Sequence, residues 1–167
     1  GIRHNSSSSK ENIKIMSRKS FRGKLTDGEQ ELIRLGTNQG LIGYKVKKFA
    51  IIPALPTTGG AKEATVQVFT TERDTVSTTT ATINFDDPTL LAVATWVGSD
   101  NPIYTQHQQV IFDHVKFNQD IYITHTNTDG AAEMNYYLEL EKVKLDLGEA
   151  TVATLKDMRG NYTNQDP

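Results

Sequence analysis

The stretch Ala132–Asn161, AEMNYYLELEKVKLDLGEATVATLKDMRGN, changes its hydrophobic period halfway along. Its first half alternates between apolar and polar residues, as a β-strand with one buried face does. Its second half repeats apolar residues at helical spacing, which is typical of an amphipathic helix. The stretch therefore predicts a final strand over residues 133–146, followed by one short helix.

The predicted final strand contains two apolar sets that a regular strand would place on opposite faces. The first set ends at Leu140, and the second consists of Val143 and Leu145. Because side chains alternate with a period of two, a regular strand cannot bury both sets on the same side. We predict a bulge or bend near Glu141 and Lys142, where the strand would pass from one packing surface to another.

The predicted helix has recognisable ends. Asp146 can cap its N-terminus with Glu149 three residues later, as in a capping box, and Gly160 suits the position after its last turn. A helix of about 12–14 residues is marginal alone in water, so its apolar stripe must dock on something. We expect it to close an end of its own sandwich or to dock on a neighbouring subunit. The candidate subunit interface is Leu147, Thr151, Leu155, Met158 and Arg159.

The remainder of the chain consists mainly of short strands separated by turn residues. Residues 20–36 predict a hairpin around Asp27-Gly28, a dipeptide that favours tight turns. The apolar run 89–98 has a length that fits a strand or a short helix. We interpret it as a strand, because its β-branched and aromatic end is followed by a glycine. The other predicted strands are 44–52, 63–71, 77–85, 109–117 and 120–127.

Eight or nine short strands, with turn signals about every 8–12 residues, are typical of a β-sandwich or barrel. We predict an all-β fold: an antiparallel, jelly-roll-like β-sandwich of eight or nine strands with one short C-terminal helix. Residues 16–161 are predicted to form a single domain, and residues 162–167 a flexible tail. Residues 1–15 are polar, carry four consecutive serines, and are predicted to be disordered or non-native.

The composition excludes several kinds of function. The chain has no cysteine, which removes disulfides, thiolate zinc sites and cysteine nucleophiles. Its net charge of −2 disfavours a nucleic-acid partner, although a local basic patch stays compatible with that charge. No apolar run approaches the roughly 20 residues that cross a bilayer, so we expect no membrane partner. No nucleotide-binding or hydrolase motif occurs, and we expect no cofactor and no catalytic residue.

Two clusters of basic residues are the clearest candidates for a binding surface. One surrounds Phe21, and the other lies in the strand predicted at 44–52. Together they would form a basic face toward nucleic acid or an acidic protein shell, or they would simply keep exposed strand faces soluble. The candidate basic patch consists of Arg18, Lys19, Arg22, Lys24, Lys45, Lys47 and Lys48.

Aromatic residues offer a weaker alternative. Tyr136, Tyr137 and Tyr122 would suit stacking on sugar rings, as in carbohydrate-binding sandwiches, but tyrosines in strands are more often half-buried in the core.

A metal-dependent enzyme is a third hypothesis. It would require Asp113, His114 and His125 to form a cluster, and their spacing does not match a known metal-binding motif.

Three stretches of the chain resemble small virion structural proteins encoded by tailed phages of marine bacteria. The stretches are MSRKSFRGKLTDGEQELIRLGTNQGLIGYKV (16–46), FDDPTLLAVATW (85–96) and NQDIYITHTNTDGAAEMNYYLELEKVKLDLGEATVATLKDMRGN (118–161). The resemblance extends from residue 16 to about residue 161 and includes no catalytic motif. It implies a β-rich component of the particle, such as a capsid decoration protein or another shell-associated protein.

These observations lead us to expect a non-enzymatic phage virion structural protein, a capsid or capsid-associated component that acts by self-assembly. Its expected partners are copies of itself and other virion proteins. Its expected location is the virion, assembled in the cytoplasm of the host bacterium. The alternative is a glycan-binding β-sandwich module that acts in host recognition.

Overall fold

The computed structural model describes residues 17–36, 41–56, 62–74, 76, 82–98, 106–127, 133–146 and 148. Within these ranges the chain forms eight β-strands. The strands are β1 (Arg18–Leu25), β2 (Gln30–Ile33), β3 (Ile42–Pro53), β4 (Lys62–Phe69), β5 (Leu90–Gly98), β6 (Gln106–Ile111), β7 (Ile121–Thr126) and β8 (Met134–Lys144). The five candidate interface residues of the predicted helix, and the segments 1–15 and 162–167, lie outside the described residues. Among the described residues, no helix has the length and hydropathy to span a membrane.

The strands form a three-stranded sheet of order β1-β8-β3 and a five-stranded sheet of order β2-β7-β4-β5-β6. All neighbours are antiparallel, and the prediction of an antiparallel β-sandwich is confirmed. The first strand pairs with the eighth, the second with the seventh and the fourth with the fifth, as when one long antiparallel ribbon rolls up into a jelly roll. Complete rolling would also pair β3 with β6, but β6 bonds to β5 instead.

The core lies between the two sheets and is built by simple alternation. Along β8, the side chains of Met134, Tyr136, Leu138 and Leu140 are at most 3% exposed, while Asn135 between them faces solvent. The five-stranded sheet meets them with Val66, Val68, Ile121 and Ile123. Burial of each large apolar side chain stabilises the fold by roughly 1.5–3 kcal/mol.

The hairpin predicted at residues 20–36 is wrong, although both of its strands exist. β1 pairs with β8 and β2 pairs with β7, so the two consecutive strands belong to different sheets. Gly28 has a φ of 78°, a conformation that favours glycine, and its amide donates a 2.9 Å hydrogen bond to the carbonyl oxygen of His125. The turn therefore carries the chain across the sandwich, because burial of both strands against different sheets outweighs their local pairing.

The irregularity predicted in the final strand lies in its neighbour. β8 runs without a register shift, and the shift falls in β3 between Val46 and Lys48. Val143 pairs with Gly43, and alternation places both on the face opposite Leu140. Since Val143 and Gly43 are buried there, β8 buries its two apolar sets on the two faces of one sheet. The bulge predicted within β8 is therefore wrong.

Three other strand predictions meet different outcomes. β5 confirms the strand interpretation of the apolar run 89–98. The strand predicted at 109–117 ends at Ile111, because the chain then turns and the amide of Val115 bonds to the carbonyl oxygen of Phe112. Of the strand predicted at 77–85, residues 82–85 are not in a strand, and the rest lies outside the described residues.

Arg73 holds the connection between β4 and β5 against the outer face of the five-stranded sheet. Its guanidinium lies 3.7 Å from the ring centre of Phe69 and forms a 2.5 Å ion pair with Asp87. Its backbone exchanges two hydrogen bonds with the side-chain amide of Gln30, at 2.8 and 3.1 Å. Burial raises the pKa of Asp87, but hydrogen bonds from Thr89 and Arg73, and the Arg73 charge, outweigh burial and hold that pKa below its usual value.

Candidate functional site

The three-stranded sheet brings the two predicted basic clusters together. β1 and β3 flank β8, and residues directly opposite each other in antiparallel strands share a face. Lys19 faces the core side, where its ammonium lies 5.6 Å from the ring centre of Tyr44. The other six residues of the basic patch lie on the outer face: Arg18, Arg22, Lys24, Lys45, Lys47 and Lys48.

Carboxylates on and beside β8 offset much of this positive charge. Each of the ion pairs is at least partly exposed, so each contributes only about 0–1 kcal/mol to stability. Among the described residues, Arg22, Lys45 and Lys48 on this face have no ion-pair partner. The outer face is therefore mixed in charge, with a local positive excess near Arg22. The ion pairs are Arg18–Glu139 at 2.6 Å, Lys24–Glu133 at 3.1 Å and Lys47–Glu141 at 3.2 Å.

A concavity of about 630 Å³ lies on this outer face, near the ends of β1 and β3. One wall carries the cations of Arg22 and Lys24, and the opposite wall is apolar, with Ala50 and Ile52. Ile52 is 56% exposed. An anionic group beside an apolar one would complement these two walls. We term this concavity the cationic groove, and its lining includes Arg22, Lys24, Ala50, Ile52, Asn135 and Tyr137.

Beneath the cationic groove, Gly23 leaves room for the ring of Tyr136. A Cβ at position 23 would lie 2.8 Å from the Tyr136 ring. Tyr136 is only 3% exposed, and its hydroxyl donates a 2.9 Å hydrogen bond to Glu31. Burial and this bond raise the pKa of Tyr136. The tyrosine surface considered as the weaker alternative does not form, because Tyr137 faces outward and Tyr122 belongs to the other sheet.

Tyr137 is the aromatic residue that the cationic groove presents to solvent. Its hydroxyl donates a 3.2 Å hydrogen bond to Glu139, and the Lys48 ammonium lies 5.6 Å from its ring centre. That distance is typical of a cation–π contact. The ring is thus already engaged by the protein, so the charge of Arg22 and the exposed side chain of Ile52 dominate the recognition chemistry of the groove.

A second concavity, of about 540 Å³, lies between β3 and β6, where the jelly-roll pairing is missing. Trp96 and His107 stack there with ring centres 5.5 Å apart and planes 20° apart. The amide side chains of Gln108 and Gln109 line the same concavity. We term it the tryptophan groove. It combines the partly buried indole ring of Trp96 with hydrogen-bonding groups, the mixture that an amphipathic ligand needs.

His125 is buried at the corner where the chain crosses between the sheets. It is 0% exposed, and its Nδ1 donates to the carbonyl oxygen of Leu25 at 3.1 Å. Its Nε2 has no hydrogen-bond partner among the described residues. Burial lowers the pKa of His125, against the opposing effects of the Leu25 and Thr26 carbonyls and the charges of Asp27 and Glu29. The imidazole is therefore neutral and structural.

The cluster considered for an enzyme does not form. Asp113 and His114 are exposed in the turn after β6, whereas His125 is buried in β7. Across the described ranges, no three His, Asp or Glu side chains come close enough to hold a metal ion.

Sequence reasoning missed the apolar wall of the cationic groove. Lys48, Ala50 and Ile52 alternate along β3 and so share the outer face. Val46 and Phe49 are both buried although they are three positions apart, a spacing that would place them on opposite faces of a regular strand. The three-position spacing of these two apolar residues was the signal in the sequence that could have predicted the bulge. A bulge at that point would have placed Ile52 on the same face as the cations.

Comparison with models of known protein families finds no match to this chain, and comparison with curated proteins finds none either. Functional inference therefore starts from the surfaces of the sandwich.

Proposed function

We propose that this chain is a non-enzymatic structural protein of a phage virion, a capsid or capsid-associated shell component that acts by self-assembly. Its partners are further copies of itself and other virion proteins, and it takes its place in the virion during assembly in the host bacterial cytoplasm. The role requires no cofactor and no catalytic group.

The observation that carries the proposal is the strand pairing. Three of the four pairs expected of a rolled antiparallel ribbon are present, β1 with β8, β2 with β7 and β4 with β5. Double-sheet jelly rolls are used in viral capsid proteins and in lectins. This support is an analogy at the level of the fold. The sequence resemblance to phage virion proteins favours the capsid role over the lectin role.

The surface of the sandwich adds a second line of support. Ile52, Leu55 and Phe85 are each more than half exposed, at 56%, 63% and 56%. Large apolar side chains in these positions offer contact area to a protein partner. Arg22 beside Ile52 adds a charge that can select the partner, because complementary charges fix the register of an interface.

The proposal is tested on purified protein and on purified particles. We expect a defined oligomer in light scattering, binding to capsids in co-sedimentation, and a fixed copy number per particle in quantitative mass spectrometry. A chain that stays monomeric, does not sediment with capsids and is absent from particles would refute it.

A glycan-binding module is the second candidate, and the tryptophan groove is the observation that favours it. The stacked Trp96 and His107 rings lie beside Gln108 and Gln109, so a sugar ring could stack there and accept hydrogen bonds. A glycan array with saturable binding that Trp96→Ala abolishes would support this candidate. Val97→Ala is the matched control, because Val97 is the next residue of β5 and is 47% exposed. Tyr136→Ala is unsuitable, since Tyr136 is a core residue.

A further inference from the structure

The β4–β5 connection and the turn after β6 form a second apolar surface, with negative charge. The rings of Phe85 and Phe112 meet edge to face with centres 5.3 Å apart, and Phe85 is 56% exposed. Asp86 and Asp113, each next in the chain to one of these rings, are both exposed. We term this surface the acidic knob, defined by Phe85, Asp86, Phe112 and Asp113.

The acidic knob and the cationic groove are complementary in charge, and each adds an exposed apolar side chain. The knob presents an exposed ring flanked by carboxylates, and the groove presents the exposed Ile52 opposite Arg22 and Lys24. Arg22 has no ion-pair partner among the described residues, so its guanidinium is available for bidentate contact with a carboxylate.

The two surfaces cannot meet within one chain. The cationic groove lies on the outer face of the three-stranded sheet and faces away from the other sheet. The acidic knob lies beside β5 and β6 of the five-stranded sheet, where the amide of Phe112 bonds to the carbonyl oxygen of Leu91 at 3.0 Å. Any contact between knob and groove is therefore a contact between two copies.

We propose that copies of this chain associate head to tail, with the acidic knob of one copy seated in the cationic groove of the next. This inference rests on the proposed function and names the contact through which self-assembly occurs. An interface between two different surfaces closes into a ring when its rotation permits and otherwise grows into a filament. Asp86 lies nearest in chain order to the exposed ring of the knob and pairs with Arg22 of the neighbouring copy.

The test uses two charge reversals, one on each surface. Arg22→Glu disables the groove and Asp86→Lys disables the knob. Each single variant is expected to be monomeric in sedimentation velocity, with association weakened roughly tenfold or more. Arg34→Glu is the matched control: Arg34 is exposed and outside both surfaces, so this variant is expected to assemble as the wild type does.

Mixing the two single variants gives the sharpest result. The Arg22→Glu chain still has an intact knob, and the Asp86→Lys chain still has an intact groove. The carboxylate introduced by Arg22→Glu and the ammonium introduced by Asp86→Lys also attract each other at the second contact. An equimolar mixture should therefore assemble with the two variants alternating, although neither variant assembles alone. Ile52→Glu and Phe85→Ser provide a second variant on each surface, and circular dichroism confirms the native sheet signal of every variant compared.

Retention of the wild-type oligomer by both charge-reversal variants would overturn the inference and leave self-assembly itself standing. A wild-type chain that is monomeric would also overturn it. In that case the capsid co-sedimentation experiment decides the proposed function separately, because a monomer can still decorate a shell.

Discussion

The hydroxyl group of Tyr136 in β8 donates a 2.9 Å hydrogen bond to Oε2 of Glu31 in β2, and this bond joins the two sheets of the sandwich. The Tyr136 ring lies under Gly23, and the side chain is almost completely buried. When a charged acceptor in a partly buried site loses its hydrogen-bond donor, the free energy of unfolding falls by more than it does for an exposed acceptor. This hydrogen bond therefore stabilises the packing of the two sheets, which are joined by few side-chain hydrogen bonds among the described residues.

We expect Tyr136→Phe to lower the free energy of unfolding by about 1–3 kcal/mol, because Glu31 would lose a hydrogen bond to a buried donor. Urea denaturation measures the change. Tyr137→Phe is the matched control, since its hydroxyl bonds to Glu139 on the outer face, and we expect a loss below about 1 kcal/mol. Equal losses in the two variants would contradict an inter-sheet role for Tyr136.

Stability should fall as the pH is lowered through the histidine range. Burial lowers the pKa of His125 below the 6.5 of a free histidine, so the unfolded chain binds a proton that the folded chain resists. The contribution of neutral His125 to the free energy of unfolding is therefore complete above about pH 6.5. Below that pH the free energy of unfolding declines by up to about 1.4 kcal/mol per pH unit, until the histidine of the folded chain also binds a proton. Urea midpoints measured between about pH 7 and 5 report this slope.

The variant His125→Gln tests whether His125 causes this pH dependence of the free energy of unfolding. Its amide can still donate to the Leu25 carbonyl but does not titrate, so we expect the slope between about pH 7 and 5 to flatten. His114→Gln removes an exposed histidine and should leave the slope in place. A wild-type slope in His125→Gln would mean that other groups produce it.

Arg73→Lys should loosen the β4–β5 connection. Lysine keeps the charge but loses the planar group that stacks on Phe69 while bonding to Asp87 and Thr89. We expect a stability loss of about 1–2 kcal/mol and faster hydrogen exchange in residues 70–74 and 82–89. Arg34→Lys, at an exposed position, is the control that should change neither measurement. Unchanged exchange in Arg73→Lys would show that the backbone bonds to Gln30 are sufficient.

Gly23→Ala should be destabilising because its new methyl group would lie 2.8 Å from the Tyr136 ring. Relief of that overlap requires the strand or the ring to move, and we expect a cost of about 1–3 kcal/mol. A double-mutant cycle with Tyr136→Leu tests the cause. The smaller side chain should accommodate the methyl group, so the double variant should lose less stability than the sum of the two single variants. Additive losses would place the strain elsewhere.

Much of the fold is predictable from local pattern. The alternation from Met134 to Leu140 predicted a half-buried strand, and this strand is the centre of the three-stranded sheet. The turn at Asp27-Gly28 was also predicted correctly as a turn, because a positive φ is a local requirement. Strand pairing is not local, which is why the hairpin prediction failed at the same turn.

The candidate sites show the same division. The basic residues of the patch were visible in the sequence, but their carboxylate partners on and beside β8 were not, because each ion pair joins residues that are distant in the chain. The apolar wall at Ile52 joins the cations of Arg22 and Lys24 only through the pairing of β1 and β3 with β8.

The sequence by itself determined the class of fold, since a period of two, β-branched residues and regular turn signals leave an all-β chain few arrangements that bury one face of each strand. Tertiary structure alone decided which strands pair, which face each cation occupies, and that the apolar residues at the end of β8 are buried on the opposite face from those before them. The physical reason is range: alternation and turn geometry are set by neighbours in the chain, whereas pairing and burial are set by surfaces that meet only when the sheets pack.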